Sequence, residues 1–253
     1  MLDTVIADNF SAIAARYDAN AEPQHRAAEE LLAFTGPLSP RSILEPGCGT
    51  GLYTCLLLAA FSRAEILGVD LSAAMLRVAR RKIADPRAAF HVADAEDFHA
   101  GRYDLITSNA TLQWFTDLPR GLANLAGLLA PGGTLSFSFF GPETYRELDH
   151  ALREVFGDEV GVACRRFAPR EELLHAMHAI FGTCEVEERR YTQTFPNLAV
   201  LLRAIRYTGT RGQPCGPEMR WTPGRLARVE RAYRGQYGTI QAGYQVLFCK
   251  GQR

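Results

Sequence analysis

The chain has 253 residues, 47% of them hydrophobic and 22% charged, enough to bury a substantial core and ordinary for a soluble globular protein. Its 28 basic and 28 acidic side chains cancel to a formal net charge of zero, and no apolar run approaches the roughly 20 residues of a membrane span. The opening stretch carries Asp3, Asp8 and Asp18 and has no basic region ahead of an apolar one, so it does not read as a signal peptide and a cytoplasmic setting is expected.

Elements are expected in a regular order. "SILEPG" reads as a buried strand entering a glycine turn, "LYTCLLLAAF" as a helix, "AEILGVD" as a second strand, and "SAAMLRVARRKIA" as a helix capped by Ser72. "AAFHVAD" and "RYDLITSN" are the third and fourth strands; "LPRGLANLAGLLA" is a helix stopped by "PGG", and "TLSFSFF" is the fifth strand. Strands alternating with helices predict an α/β, doubly wound, mostly parallel sheet. After "FFGP" a helix is expected from near Glu143 and another after Pro169, then a strand over "CEVEERRYTQTF". Helical and loop-like residues 197–238, including an amphipathic helix in "LLRAIRYTGT" that ends at Gly209, separate that strand from a closing one at "YQVLFCK". The expected organisation is a single domain over 1–253. It comprises an N-terminal helical cap (1–36), a core (41–140), a region of substrate-side helices, strand and lid (141–238), and a closing edge strand (239–253).

Cys48, Cys55, Cys164, Cys184, Cys215 and Cys249 form no C-x-x-C pair, which argues for reduced, mostly buried thiols and against a zinc site or a disulfide framework. Charge is unevenly distributed. Residues 1–160 hold 13 basic and 21 acidic side chains, whereas 161–253 hold 15 and 7, nearly all of the basic ones arginine. Arginine is a permanently charged fork suited to carboxylates and phosphates, so this third of the chain fits either a solvated face or an acidic partner.

"EPGCGTG", Glu45 to Gly51, falls where a strand gives way to a helix, the ligand-binding edge of an open α/β sheet. Glycines there admit close backbone approach, and the next helix offers free N–H groups. Asp70 ends the second strand, where a carboxylate accepts both hydroxyls of a ribose. Asp94 closes the third, in reach of an adenine amino group, and Leu71 and Met75 are placed to sandwich the base. A dinucleotide site competes for the same glycines, but G-x-G-x-x-G spacing would need glycine where Leu52 stands.

"EPGCGTG", the acid of "GVDLS", "ADAE" and the asparagine of "TSNATLQW" resemble the motifs of class I S-adenosylmethionine-dependent methyltransferases. The resemblance implies a seven-stranded Rossmann-like sheet with a helical lid between its last two strands. It also implies S-adenosylmethionine as methyl donor, S-adenosylhomocysteine as product, and no metal. Glu45, Gly47, Cys48, Gly49, Gly51, Asp70, Leu71, Met75, Asp94, Ala95 and Asn109 are the implied cofactor-binding residues, with Glu45 organising the loop and a nearby ammonium. "FSAIAARYDANAEPQHRAAEELL", "NATLQWFTD", "FFGPETYREL" and "LLRAIRYTGT" further resemble the malonyl-acyl-carrier-protein O-methyltransferases of biotin synthesis, over almost the whole chain. Ala12 stands where that family usually has a basic residue and Pro46 where it is often aliphatic.

A carboxylate acceptor, with an unperturbed pKa of about 4, needs no general base but does need orientation and a counter-charge. A guanidinium supplies both. Arg203 and Arg206 are the candidates for this, Tyr17 and Gln113 are the other expected catalytic-site residues, and Trp114 is an expected pocket wall. The expected partner is an acyl carrier protein bearing a malonyl thioester, docked on the basic C-terminal third, with neither nucleic acid nor membrane involved. A carboxyl methyltransferase of a small free acid such as trans-aconitate is the alternative, because "LQW" is shared with that neighbouring family.

Overall fold

A computed structural model describes residues 2–208 and 221–253. Seven strands form one sheet in the order β3-β2-β1-β4-β5-β7-β6. These are β1 (Ser42–Pro46), β2 (Glu65–Asp70), β3 (Ala88–Val92), β4 (Tyr103–Asn109), β5 (Leu129–Phe140), β6 (Cys184–Phe195) and β7 (Ile240–Gln252). β1 to β5 pair in parallel, and β7 runs antiparallel to both β5 and β6. Ile43, Leu44, Leu105, Ile106, Leu135 and Phe137 are fully buried in the central strands, as expected of a sheet covered on both faces.

Two helices, α1 (Leu2–Ile13) and α2 (Glu22–Thr35), precede the sheet, joined by a short 3-10 turn over Ala14–Arg16. α3 (Leu52–Ala60), α4 (Ala73–Lys82) and α5 (Leu118–Gly127) are the crossovers of the parallel region, and Ser72 caps α4 by accepting from Met75 N at 3.2 Å. α6 (Arg146–Phe156) and α7 (Arg170–Phe181) precede β6; α8 (Leu198–Tyr207) and α9 (Pro223–Tyr237) separate β6 from β7. The expected helical insertion between the last two strands is therefore present, and no helix among the described residues is long and apolar enough to cross a membrane. Cys48, Cys164 and Cys249 are buried, whereas Cys55 is exposed.

Some boundaries differ from the sequence reading. "PGG" does not stop α5: the helix ends at Gly127, and β5 already contains Pro131, Gly132 and Gly133. The register slips between Tyr103 and Leu105, and the extra residues bulge outward. Gly132 takes φ 77° and donates to the Arg253 carbonyl at 3.1 Å while Arg253 N donates to the Gly133 carbonyl at 3.0 Å, so the segment is paired with the chain's end. α6 begins at Arg146 rather than near Glu143, because Tyr145 adopts a left-handed conformation and donates its N–H to the Gly243 carbonyl. Asp94 lies two residues beyond the end of β3, in the loop. The expected end of "LLRAIRYTGT" at Gly209, and Cys215, lie outside the described residues.

Candidate functional site

A cleft enclosing about 1020 Å³, counting its open mouth, lies at the carboxyl ends of β1, β2 and β4. Its floor is the turn between β1 and α3. Gly47, Gly49 and Gly51 have φ of 66°, 53° and 76°, the left-handed region that favours glycine. At Gly47 there is also no room for a side chain, since a Cβ would stand 2.1 Å from Thr111 Cγ2.

Asp70 anchors this floor. Its Oδ2 accepts from Gly49 N at 2.9 Å and its Oδ1 from Ser72 N at 2.8 Å. Burial pushes its carboxyl above the usual range, and the two N–H donors oppose that shift. Each oxygen keeps lone-pair capacity for a further donor, so the group suits a vicinal diol. Glu45, 1% exposed, accepts from Thr54 Oγ1 at 2.5 Å, and burial raises its pKa to about 8, with Asp70 adding to the effect and Thr54 opposing it. Asp94 Oδ1 accepts from Glu96 N at 2.9 Å; Glu96 in turn accepts from Thr116 N and Asp117 N and pairs with Arg120, tying the loop after β3 to the loop after β4. Among the described residues the lining includes the carboxyl groups of Glu45, Asp70, Asp94 and Glu96 and no lysine or arginine.

The N-terminal segment supplies a wall. Ala7, Phe10 and Tyr17 line the cleft, and the Phe10 ring lies 6.1 Å from both Tyr17 and Trp114. Side chains fasten this wall to the floor: Ser11 and Ser72 hydroxyls are 2.7 Å apart, Thr50 Oγ1 donates to Asp18, and Lys82 pairs with the other Asp18 oxygen. Burial, followed by Asp18, Asp70 and Tyr145, raises the pKa of the Tyr17 hydroxyl, which therefore stays protonated and able to donate at neutral pH.

The structure brings Tyr17, Glu45, Gly47, Cys48, Gly49, Asp70, Leu71, Met75, Asp94, Ala95 and Asn109 together around this cleft. Four expected residues lie outside its lining. Gly51 caps α3 and packs toward Ala79 and Ile83. Gln113 is buried beneath the wall, donating Nε2 to the Ala110 carbonyl at 2.7 Å. Arg203 and Arg206 are exposed, because α8 buries Leu198 and Leu201 and thereby turns the opposite face to solvent. The end of the same helix reaches the N-terminal wall, where Tyr207 packs with Ile13, Ala14 and Met75 and lies 5.8 Å from the Arg16 guanidinium. Sequence reasoning did not single out Gln24, Phe10, Thr50, Tyr53 and Thr111 in the lining. Thr50 and Tyr53 come with the glycine turn and the helix after it, whereas Phe10, Gln24 and Thr111 have the local pattern of ordinary core and turn residues and are brought here by long-range packing.

Glu45 gives a pH test. A carboxyl whose pKa rises from about 4.5 to about 8 on folding contributes stability present in full below pH 4.5 and lost as pH climbs through 8. Urea denaturation of the ligand-free protein should show Glu45→Gln gaining on wild type by at most about 1.4 kcal/mol per pH unit between pH 5 and 8, with a level difference above that. A pH-independent difference would contradict the assignment.

Residues 44–137 match the family described as a methyltransferase domain. The malonyl-[acyl-carrier protein] O-methyltransferase of Halorhodospira halophila is 36% identical over 251 residues, 95% of this chain and 84% of the relative. The trans-aconitate 2-methyltransferase of Methylobacterium radiotolerans is 35% identical over 248 residues, 92% and 93% of the two chains. Among solved structures, the Haemonchus contortus phosphoethanolamine N-methyltransferase 2 in complex with S-adenosyl-L-methionine superposes with a TM-score of 0.57 at 19% identity, covering 88% of this chain and 51% of that one. A glycine floor gripped by a strand-end aspartate, on a sheet of this order and with relatives matched along nearly the whole chain, makes this protein a member of the malonyl-[acyl-carrier protein] O-methyltransferase family.

Proposed function

We propose that the protein transfers a methyl group from S-adenosylmethionine to the free carboxylate of a malonyl thioester carried on acyl carrier protein, which makes the methyl-ester primer for pimeloyl and biotin synthesis. The relative from Halorhodospira halophila, similar along 95% of the chain and bearing that name, carries the reading. The cleft supports it, because its lining presents Asp70 and Asp94 and, among the described residues, no lysine or arginine, while the protonated Glu45 is a carboxyl that a nearby cation would help to ionise, and this favours a donor that is positively charged. When bound, that donor supplies an electrophilic methyl: a carboxylate oxygen takes it as the carbon–sulfur bond breaks and S-adenosylhomocysteine leaves, with no proton moved.

The chain's own task is positioning, worth roughly 7 to 11 kcal/mol when geometry is good. Asp70, held at two backbone N–H groups, presents its remaining lone pairs to the ribose hydroxyls, and Asp94 with Ala95 faces the base. Phe10, Tyr17 and Trp114 form an aromatic wall that excludes water. Arg203 is the better candidate of the two arginines for the acceptor carboxylate. It stands one helical turn before Tyr207, the residue through which α8 packs against the N-terminal wall.

Carrier-protein docking is assigned to α8 and α9. Together they carry six arginines and one glutamate, and that Glu230 is engaged by Arg234 and by Leu198 N. β6, by contrast, neutralises itself, with Arg189 on Glu187 and Arg190 on Glu188 and Glu143. The alternative, a small free acid as acceptor, is favoured by the relative named trans-aconitate 2-methyltransferase.

Methyl transfer from labelled S-adenosylmethionine is expected with malonyl-carrier protein and to fall at least tenfold with malonate or trans-aconitate; equal turnover of a free acid would replace this reading with the alternative. Arg231→Glu should raise the KM for malonyl-carrier protein several-fold and leave malonyl-coenzyme A unaffected, the signature of a docking charge. Calorimetry should show Asp70→Ala weakening S-adenosylhomocysteine about a hundredfold, the scale of two lost charge-assisted hydrogen bonds. Arg203→Ala should cut kcat/KM at least tenfold with cofactor affinity unchanged.

A further inference from the structure

Three buried side-chain atoms among the described residues have no hydrogen-bond partner: Gln24 Oε1, His25 Nε2 and Gln113 Oε1. Only Gln24 lines the cleft. Its residue is 5% exposed, so its carbonyl cannot turn to bulk water for the missing donor. A buried acceptor left open toward a ligand cavity is suited to a ligand N–H or O–H.

The backbone around it is fixed. Asn109 Nδ2 donates to the Gln24 carbonyl at 3.0 Å, and Asn109 Oδ1 accepts from Ser138 Oγ at 2.7 Å, so the first turn of α2 is pinned to the ends of β4 and β5. Thr111 Oγ1 donates to the Gly47 carbonyl at 3.2 Å and ties the same strand end to the glycine floor. Gln24 thus sits on the β4 side of β1, and Asp70 and Asp94 sit on the side of β2 and β3. With the ribose and base on that far side, the donor group left for Gln24 is at the amino-acid end of the cofactor. The acceptor substrate, an ionised carboxylate, has no proton to give.

We propose that Gln24 is a cofactor-binding residue whose side-chain carbonyl accepts a hydrogen bond from the α-ammonium of S-adenosylmethionine, a contact made by the N-terminal helix rather than by the glycine loop. The inference rests on S-adenosylmethionine as cofactor and not on which acid is methylated. It gives α2 a direct part in reading the ligand, beyond covering the sheet.

Calorimetry with three ligands tests it: S-adenosylhomocysteine, its deaminated analogue, and 5′-methylthioadenosine, which lacks the whole amino-acid end. Gln24→Leu should weaken S-adenosylhomocysteine about tenfold or more, the worth of one hydrogen bond to a charged group, and leave 5′-methylthioadenosine within about twofold. Wild type should prefer S-adenosylhomocysteine over the deaminated analogue, and Gln24→Leu should lose most of that preference. Gln24→Glu, which keeps an acceptor in place, should retain or enlarge it, and serves as the deciding variant if Gln24→Leu does not fold. Equal weakening of all three ligands in Gln24→Leu, an undiminished preference in that variant, or loss of preference in Gln24→Glu would overturn the assignment. Failure of wild type to bind S-adenosylhomocysteine at all would instead refute the cofactor reading.

Discussion

The Asp70 carboxylate accepts backbone N–H groups from two segments that converge at the ends of β1 and β2, Gly49 in the glycine floor and Ser72 at the head of α4. A single side chain thereby sets the distance between the turn after one strand and the turn after its neighbour. The left-handed conformations of Gly47, Gly49 and Gly51 are the backbone side of that bargain, since such a path is strained for other residues. Placing a carboxylate in a partly buried position is costly, and the two N–H donors offset the cost before any ligand arrives. The cleft is in this sense preorganised: its shape and charge exist without the ligand that uses them.

Charge is partitioned across the molecule. Carboxyl groups line the cleft, and the arginines of α8 and α9 face solvent on the helices inserted before the last strand. Zero net charge in the sequence is the sum of −8 over residues 1–160 and +8 over residues 161–253, and long-range attraction of an acidic partner depends on the local field rather than the total. The end of α8 meets the N-terminal wall where the Arg16 guanidinium lies against the Tyr207 ring, so the basic helices touch the wall of the cleft.

The parallel half of the fold was legible because its central strands are buried on both faces and read as short apolar runs, and a glycine turn follows β1 and a helix capped by Ser72 follows β2. Asp70 and the glycines were legible for the same reason, since the strand end fixes where they point. "PGG" misled because proline and glycine usually end an element, whereas here the residues bulge within β5 and bond to Arg253, some 120 positions away. Tyr145 likewise exchanges a helical N–H for a bond to β7. Gln24 and Phe10 had no local signal at all, because an amphipathic helix shows which residues are buried and not whether the space beside them is side chain or cavity. Arg203 and Arg206 were legible as one face of a helix, but which way that face turns is decided by Leu198 and Leu201 burying themselves on the other.

The wall built by residues 7–18 is held differently from the floor beneath it. No strand pairing secures it; beside the packing of Ile13 and Ala14 on Met75, its polar fastenings to the floor are the Asp18 contacts with Thr50 and Lys82 and the hydroxyl pair Ser11 and Ser72, with Asp18 and Lys82 each about a third exposed. Ion pairs so placed are individually worth only about 0 to 1 kcal/mol and weaken with salt. Parting the wall from the floor is therefore a local opening far cheaper than unfolding the sheet. It sets a residence time for whatever the cleft holds, one that shortens as ionic strength rises while the equilibrium shape of the floor stays the same.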